Sequence, residues 1–228
     1  MIHKKALIKI FTIFVTTLST IASAHAQLDI DRGVQEQNEA TKSDTVFFDD
    51  FSSPALDRSK WNVIITGWTV NNEQQAYVDS TVTIYIARDS DADGAVNGAL
   101  VLHPRFSAGF TTPEVKKFDF ISGRIDTRKK IEFTYGTAAA RIKMTAGTGL
   151  WPAFWAMGNG KWPDTGEVDI MEYVGEPDWT SVALHGPGYS GETPLVNKVY
   201  FPPDMTQQNG MCTRSIGRKT VLFSKLMV

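Results

Sequence analysis

The chain has 228 residues, a formal net charge of −2, four histidines and one cysteine. That length suits one large β domain and is short for two, and basic residues scattered without a patch give neither nucleic acid nor an anionic membrane a surface to bind. Cys212 stands alone, so no internal disulfide forms and stability has to come from buried core.

Residues 1–26 read as a secretory signal peptide. Lys4, Lys5 and Lys9 lead into the apolar run 10–15, and Ala24-His25-Ala26 offers a small-x-small cleavage site. The apolar run is too short to span a bilayer. Residues 27–45 are polar and charged, the composition of a flexible leader. From Phe47 onward, short β-like runs alternate with turn signals. Candidate strands fall at 77–78, 82–87, 99–103, 123–128 and 138–144, separated by clusters such as Asn97-Gly98 and the glycine-rich 147–149. Long amphipathic helical patterns are absent, so the expected fold is an all-β sandwich of short antiparallel strands.

Asp89, Asp91, Asp93 and Gly94 imitate the first half of a calcium loop. The twelfth position holds Leu100 instead of the closing acid, so an acidic turn is the better reading. Zinc-spaced His and Cys are also missing. No metal site and no cofactor are expected.

The most unusual segment is Glu167-Val168-Asp169-Ile170-Met171-Glu172. Glu167 and Asp169 alternate with Val168 and Ile170, the period-2 pattern of a half-buried strand with one acidic face. Strict alternation would put Met171 on that face, whereas one extra residue, a β-bulge, returns Glu172 to it. Acids in one row repel, which splits their pKa values and allows separate acid and base roles. Two glutamates flanking a sugar bond act as nucleophile and general acid/base in retaining hydrolysis when their carboxyl groups stand about 5 Å apart. Five extended steps hold the Cα atoms roughly 16 Å apart, so bulge, twist and inward-leaning side chains must close the gap.

The surrounding residues resemble glycoside hydrolase family 16, in the branch with the bulged Glu-x-Asp-x-x-Glu signature. The likeness starts at Phe48-Asp49-Asp50-Phe51 and Trp61, and runs through Asn71-Asn72-Glu73-Gln74-Gln75-Ala76-Tyr77, Ser122-Gly123-Arg124-Ile125 and Tyr135-Gly136. It is densest from Gly149-Leu150-Trp151-Pro152-Ala153-Phe154-Trp155 through Trp162-Pro163 to the acidic strand, and closes at His185-Gly186. The resemblance implies a concanavalin-like jelly roll over residues 46–208, incomplete toward its C-terminus, with a glycan cleft on one sheet. It implies Glu167 as nucleophile, Glu172 as general acid/base and Asp169 as the group that tunes the nucleophile. Asn72, Arg124, Trp155 and Trp162 would line sugar subsites, where aromatic faces suit the apolar faces of sugar rings. His185 reads equally as a cleft residue or a structural histidine. Trp151 and Phe154 are expected to fill core. Ala139 departs from the family pattern, which has an acid two residues before Arg141.

The expected activity is that of a secreted, monomeric retaining endo-glycosidase acting on laminarin-type β-1,3-glucan. Its partner is the polysaccharide, with neither nucleic acid nor a membrane involved once the signal is removed. Galactan hydrolysis of the agarase or carrageenase kind, and non-catalytic glycan binding, are the alternatives. The tail 209–228 does not fit. Arg214, Arg218 and Lys219 interrupt strand alternation. Read one frame over, Asn209 onward can encode WHVYTVDWEEDRIIFKVDG, with a valine forced by Met211-Cys212 and a glycine forced by Met227-Val228. That string resembles the strand pair the family places after its histidine segment. A slipped reading frame near Gln207 to Asn209 is therefore expected, which would cost the sandwich several strands and puts the activity of the truncated chain in question; sequencing the locus checks it.

Overall fold

The computed structural model describes residues 45–201 apart from 96, 146 and 177, and the backbone of 211–217 and 226–227. The chain divides into two compact units, 1–48 and 49–228. The signal peptide and all but the last residue of the leader lie outside the described residues, as do Arg218 and Lys219 of the tail.

In chain order the strands are β1 (Asn62–Val63), β2 (Gln75–Tyr77), β3 (Ile84–Ala87), β4 (Ala99–Leu102), β5 (Arg105–Thr111), β6 (Lys117–Ser122) and β7 (Ile125–Asp126). They continue with β8 (Gly136–Ile142), β9 (Ala153–Met157), β10 (Glu167–Glu172), β11 (Trp179–His185), β12 (Leu195–Tyr200), β13 (Met211–Gly217) and β14 (Leu226–Met227). The expected strands are all met within a few residues, except that 123–128 contracts to β7. Just before β7, Gly123 permits a close approach, since a Cβ there would stand 2.5 Å from Ile84 Cγ1 and 2.8 Å from the Thr83 carbonyl oxygen. The acidic stretch Asp89–Asp93 is a single 3₁₀ turn over Ser90–Ala92, capped by the Asp89 side chain accepting from the Asp91 N–H. No described helix is long and apolar enough to cross a membrane.

One seven-stranded sheet, ordered β1-β7-β14-β9-β10-β11-β12, carries the acidic strand near its middle. Smaller sheets β13-β8, β2-β6-β5 and β3-β4 complete the β architecture. The core lies between β9–β10 and β8. Phe154 from β9, Val168, Ile170 and Met171 from β10, Met144 and Tyr173 form one buried cluster, with Ala138, Ala140 and Ile142 of β8 packed against it. Phe154 and Met171 are each 1% exposed, so each contributes roughly 1.5–3 kcal/mol of burial energy. The early Phe51 and Trp61 also have structural work. Trp61 is buried, stacks near Phe51 at 6.3 Å and donates its indole N–H to Asp49 Oδ2 at 2.9 Å.

Despite Arg214, Met211–Gly217 forms a strand antiparallel to β8, with Cys212 opposite Arg141 and Arg214 opposite Ala139. Backbone groups supply such pairing by themselves, and side-chain alternation is required only where one face is buried.

Candidate active site

β10 begins after Gly166, whose φ of +79° is a turn conformation that a side chain would strain. From there Glu167, Val168 and Asp169 pair in regular register with Met157, Ala156 and Trp155 of β9, and with His185, Leu184 and Ala183 of β11. The register then shifts, so that Met171 faces Phe154 while Glu172 meets Ala153 on one side and Ser181 on the other. This is the bulge the acid spacing required. It sends both Ile170 and Met171 into the core and returns Glu172 to the face that carries Glu167 and Asp169.

The charges on that face are perturbed together. Burial raises the pKa of Glu167 and of Glu172. Asp169 is pushed up to about 8, first by burial and then by the negative charges of Glu172 and Glu167. Its hydrogen bond with Glu167 raises Asp169 and lowers Glu167, which is the signature of a protonated Asp169 donating to an ionised Glu167. Trp151 adds a second donor, its indole N–H lying 3.0 Å from Glu172 Oε1 and holding that carboxyl down against its burial.

Trp151 was expected in the core and is not there: it is 45% exposed on the acid face, while Phe154 is buried as expected. The signal was available in the alternation, because Trp151, Ala153 and Trp155 share one parity and Phe154 has the other.

His185 Nε2 lies 3.3 Å from Asp169 Oδ2. Burial lowers the histidine pKa while the aspartate is raised, so near neutral pH the contact joins two uncharged groups instead of an ion pair. Trp162 covers this corner, its ring 5.9 Å from the imidazole, and its hydrogen bond lowers the Glu167 pKa. Glu167, Asp169 and His185 each offer a donor atom within 4.8 Å of one another, which makes them the described group fit to hold a small cation.

Arg124 is held between two aromatic faces, 4.9 Å from the Trp155 ring and 5.5 Å from Tyr77, and its charge favours ionised Glu167. Tyr77 donates to Glu73 Oε1 at 2.7 Å, and burial with the Glu73 contact pushes its pKa up to about 12. Asn72 lies on an exposed turn, at φ 58°, leading into β2. Thus Arg124, Trp155, Trp162 and His185 converge on the acid face, and Tyr77 joins them unforeseen.

The site is thus a bulged row of three carboxylates flanked by tryptophans on an all-β fold. Residues 111–213 match a family model described as XgeA-like, catalytic GH16 domain. The chain is 29% identical over 202 residues to glucan endo-1,3-beta-glucosidase A1 of Niallia circulans, which covers 80% of this chain and 28% of that protein. It is 28% identical over 166 residues to a beta-glucanase of Rhodothermus marinus, covering 69% of this chain and 54% of that protein. Among solved structures, the endo-beta-1,3-glucanase of Pyrococcus furiosus superposes with a TM-score of 0.64 at 30% identity, over 74% of this chain and 65% of that one. The chain therefore spans 28% and 54% of the lengths of these two curated relatives. It is a relative of the family 16 glycoside hydrolases, the kinship its motifs implied.

Proposed function

We propose that the protein is an exported retaining endo-glycosidase that hydrolyses β-1,3-linked glucan. The observation that carries this reading is the β10 bulge, which aligns Glu167, Asp169 and Glu172 on one face with Asp169 protonated at neutral pH. Glu167, whose carboxylate is favoured against its burial by the Trp162 hydrogen bond, the Arg124 charge and the Asp169 hydrogen bond, attacks the anomeric carbon and forms a glycosyl-enzyme. Glu172, kept protonated to higher pH by burial, gives its proton to the departing glycosidic oxygen. It then takes a proton from the water that releases the sugar. Asp169 holds its own proton throughout. Trp162, Trp155 and Arg124 hold sugar rings across the cleft. The names of the relatives, glucan endo-1,3-beta-glucosidase and beta-glucanase, support glucan as substrate, and the leading 1–26 supports export.

Reducing-sugar release from laminarin, with agarose and carrageenan alongside, tests the substrate. Glu167→Gln is expected to abolish turnover while laminarin still retards the protein in an affinity gel. Unchanged turnover removes the proposed nucleophile, release from the galactans alone replaces glucan as substrate, and retardation without release in the wild type makes the protein a glycan-binding module.

A further inference from the structure

Strand register extends the acid face beyond the residues already discussed. Glu172 of β10 pairs with Ser181 of β11, and Ser181 pairs with Lys198 of β12. Directly paired residues in antiparallel strands project to the same side, so Lys198 stands in one row with the proposed acid/base, two strands away. Strands lie about 4.8 Å apart, which sets β12 about 10 Å from β10. A glycan crossing the strands would meet it beyond the ring being cleaved.

The chemistry at that end differs from the rest of the cleft. The Lys198 ammonium lies 3.8 Å from the centre of the Trp179 ring, a cation–π arrangement that orients the charge without neutralising it. Trp179 pairs in register with Tyr200, a residue 66% exposed. Lys198 makes no ion pair among the described residues. The row therefore holds an acid cluster at one end and an oriented, unneutralised cation beside two aromatic rings at the other.

We propose that Lys198, Trp179 and Tyr200 form a distal subsite for a sugar carrying an anionic substituent, a sulfate ester or a carboxylate. The proposal rests on β10 lining a glycan cleft. Trp179 positions the ammonium, Tyr200 offers its ring to the sugar face, and the ammonium pairs with the anion. A chain with a formal charge of −2 has no general attraction for an acidic polymer, so a preference for one would have to be local.

Affinity electrophoresis of the full chain in gels carrying laminarin, its sulfate ester or its C6-oxidised uronate form tests this. At low ionic strength both acidic polymers are expected to retard the protein more than laminarin does. Lys198→Gln is expected to cut that preference by between about two- and fivefold, the size of an exposed charge pair, and added salt to erase it. Lys117→Gln, the same charge change at an exposed position of β6, is expected to leave it alone. Retardation by the sulfate or the uronate polymer alone identifies the anion. An equal effect of both variants, a preference untouched by Lys198→Gln, or no preference at all overturns the subsite. Reducing-sugar release separates the two readings: release without preference removes the subsite alone, and preference without release removes the hydrolase and keeps the subsite.

Discussion

β10 and β12 belong to one sheet two strands apart, yet they live in different surroundings. Val168, Leu184 and Leu195 occupy successive positions of a single cross-strand row on the core side. Their exposure rises from 8% to 39% to 58% along it. Under β10 the row is covered by β8 through Ala138, Ala140 and Ile142, whereas all six residues of β12 are exposed. Backbone pairing is enough to add a strand to a sheet, but only an opposed layer gives that strand a buried face. The same cover that buries Ile170 and Met171 fixes the bulge, and the bulge fixes the spacing of the acids. An uncovered strand can hold a charge such as Lys198 in place but gives it no buried surroundings.

The largest consequence is in stability. Phe154→Ala, under the acid strand, is expected to cost about 3–5 kcal/mol, and Leu195→Ala on β12 about 0.5 kcal/mol or less. Urea denaturation of the two variants measures both, and similar losses would mean that β12 has a covered face after all.

Next comes the pH dependence of stability. In the folded protein Asp169 titrates near 8, against 3.8 for the free side chain. Between those values the folded state keeps a proton that the unfolded state has released. The stabilisation from that proton is complete below the unfolded value and is lost as pH rises toward 8. Asp169→Asn is expected to flatten this decline in urea titrations between pH 4 and pH 8. A new acid at exposed Asn197 on β12, Asn197→Asp, is expected to add no slope there, because an exposed carboxyl titrates near its ordinary value.

The smallest effect concerns Trp151. Trp151→Phe removes the indole N–H from Glu172, so the Glu172 pKa rises further and the alkaline limb of the kcat/KM profile on laminarin moves to higher pH. An unmoved limb would show that Glu172 is not the acid that limits it.

Much of this was legible in the chain itself. The alternation of Glu167 and Asp169 with Val168 and Ile170 named the acid face, and the odd spacing to Glu172 demanded a bulge. Both are local properties of a strand, which is why sequence carries them. Trp151 has the aromatic character of a core residue, but its parity with Ala153 and Trp155 puts it on the acid face. The exposure of β12 was not legible: Leu195 and Val199 fall on one parity and Val196 on the other, so the apolar pattern does not single out an uncovered face.

The sequence by itself determined an all-β chain, an acidic strand with its bulge, and kinship with the family 16 hydrolases. Those follow from side-chain period, turn residues and motif order, which act over a few residues at a time. Tertiary structure alone decided that Asp169 carries a proton at neutral pH, that Trp151 reaches Glu172, that Arg124 sits between Tyr77 and Trp155, and that Lys198 shares a row with the acids. Apart from the charges beside Asp169, these are distances between residues remote in sequence, and burial and Coulomb energies depend on distance.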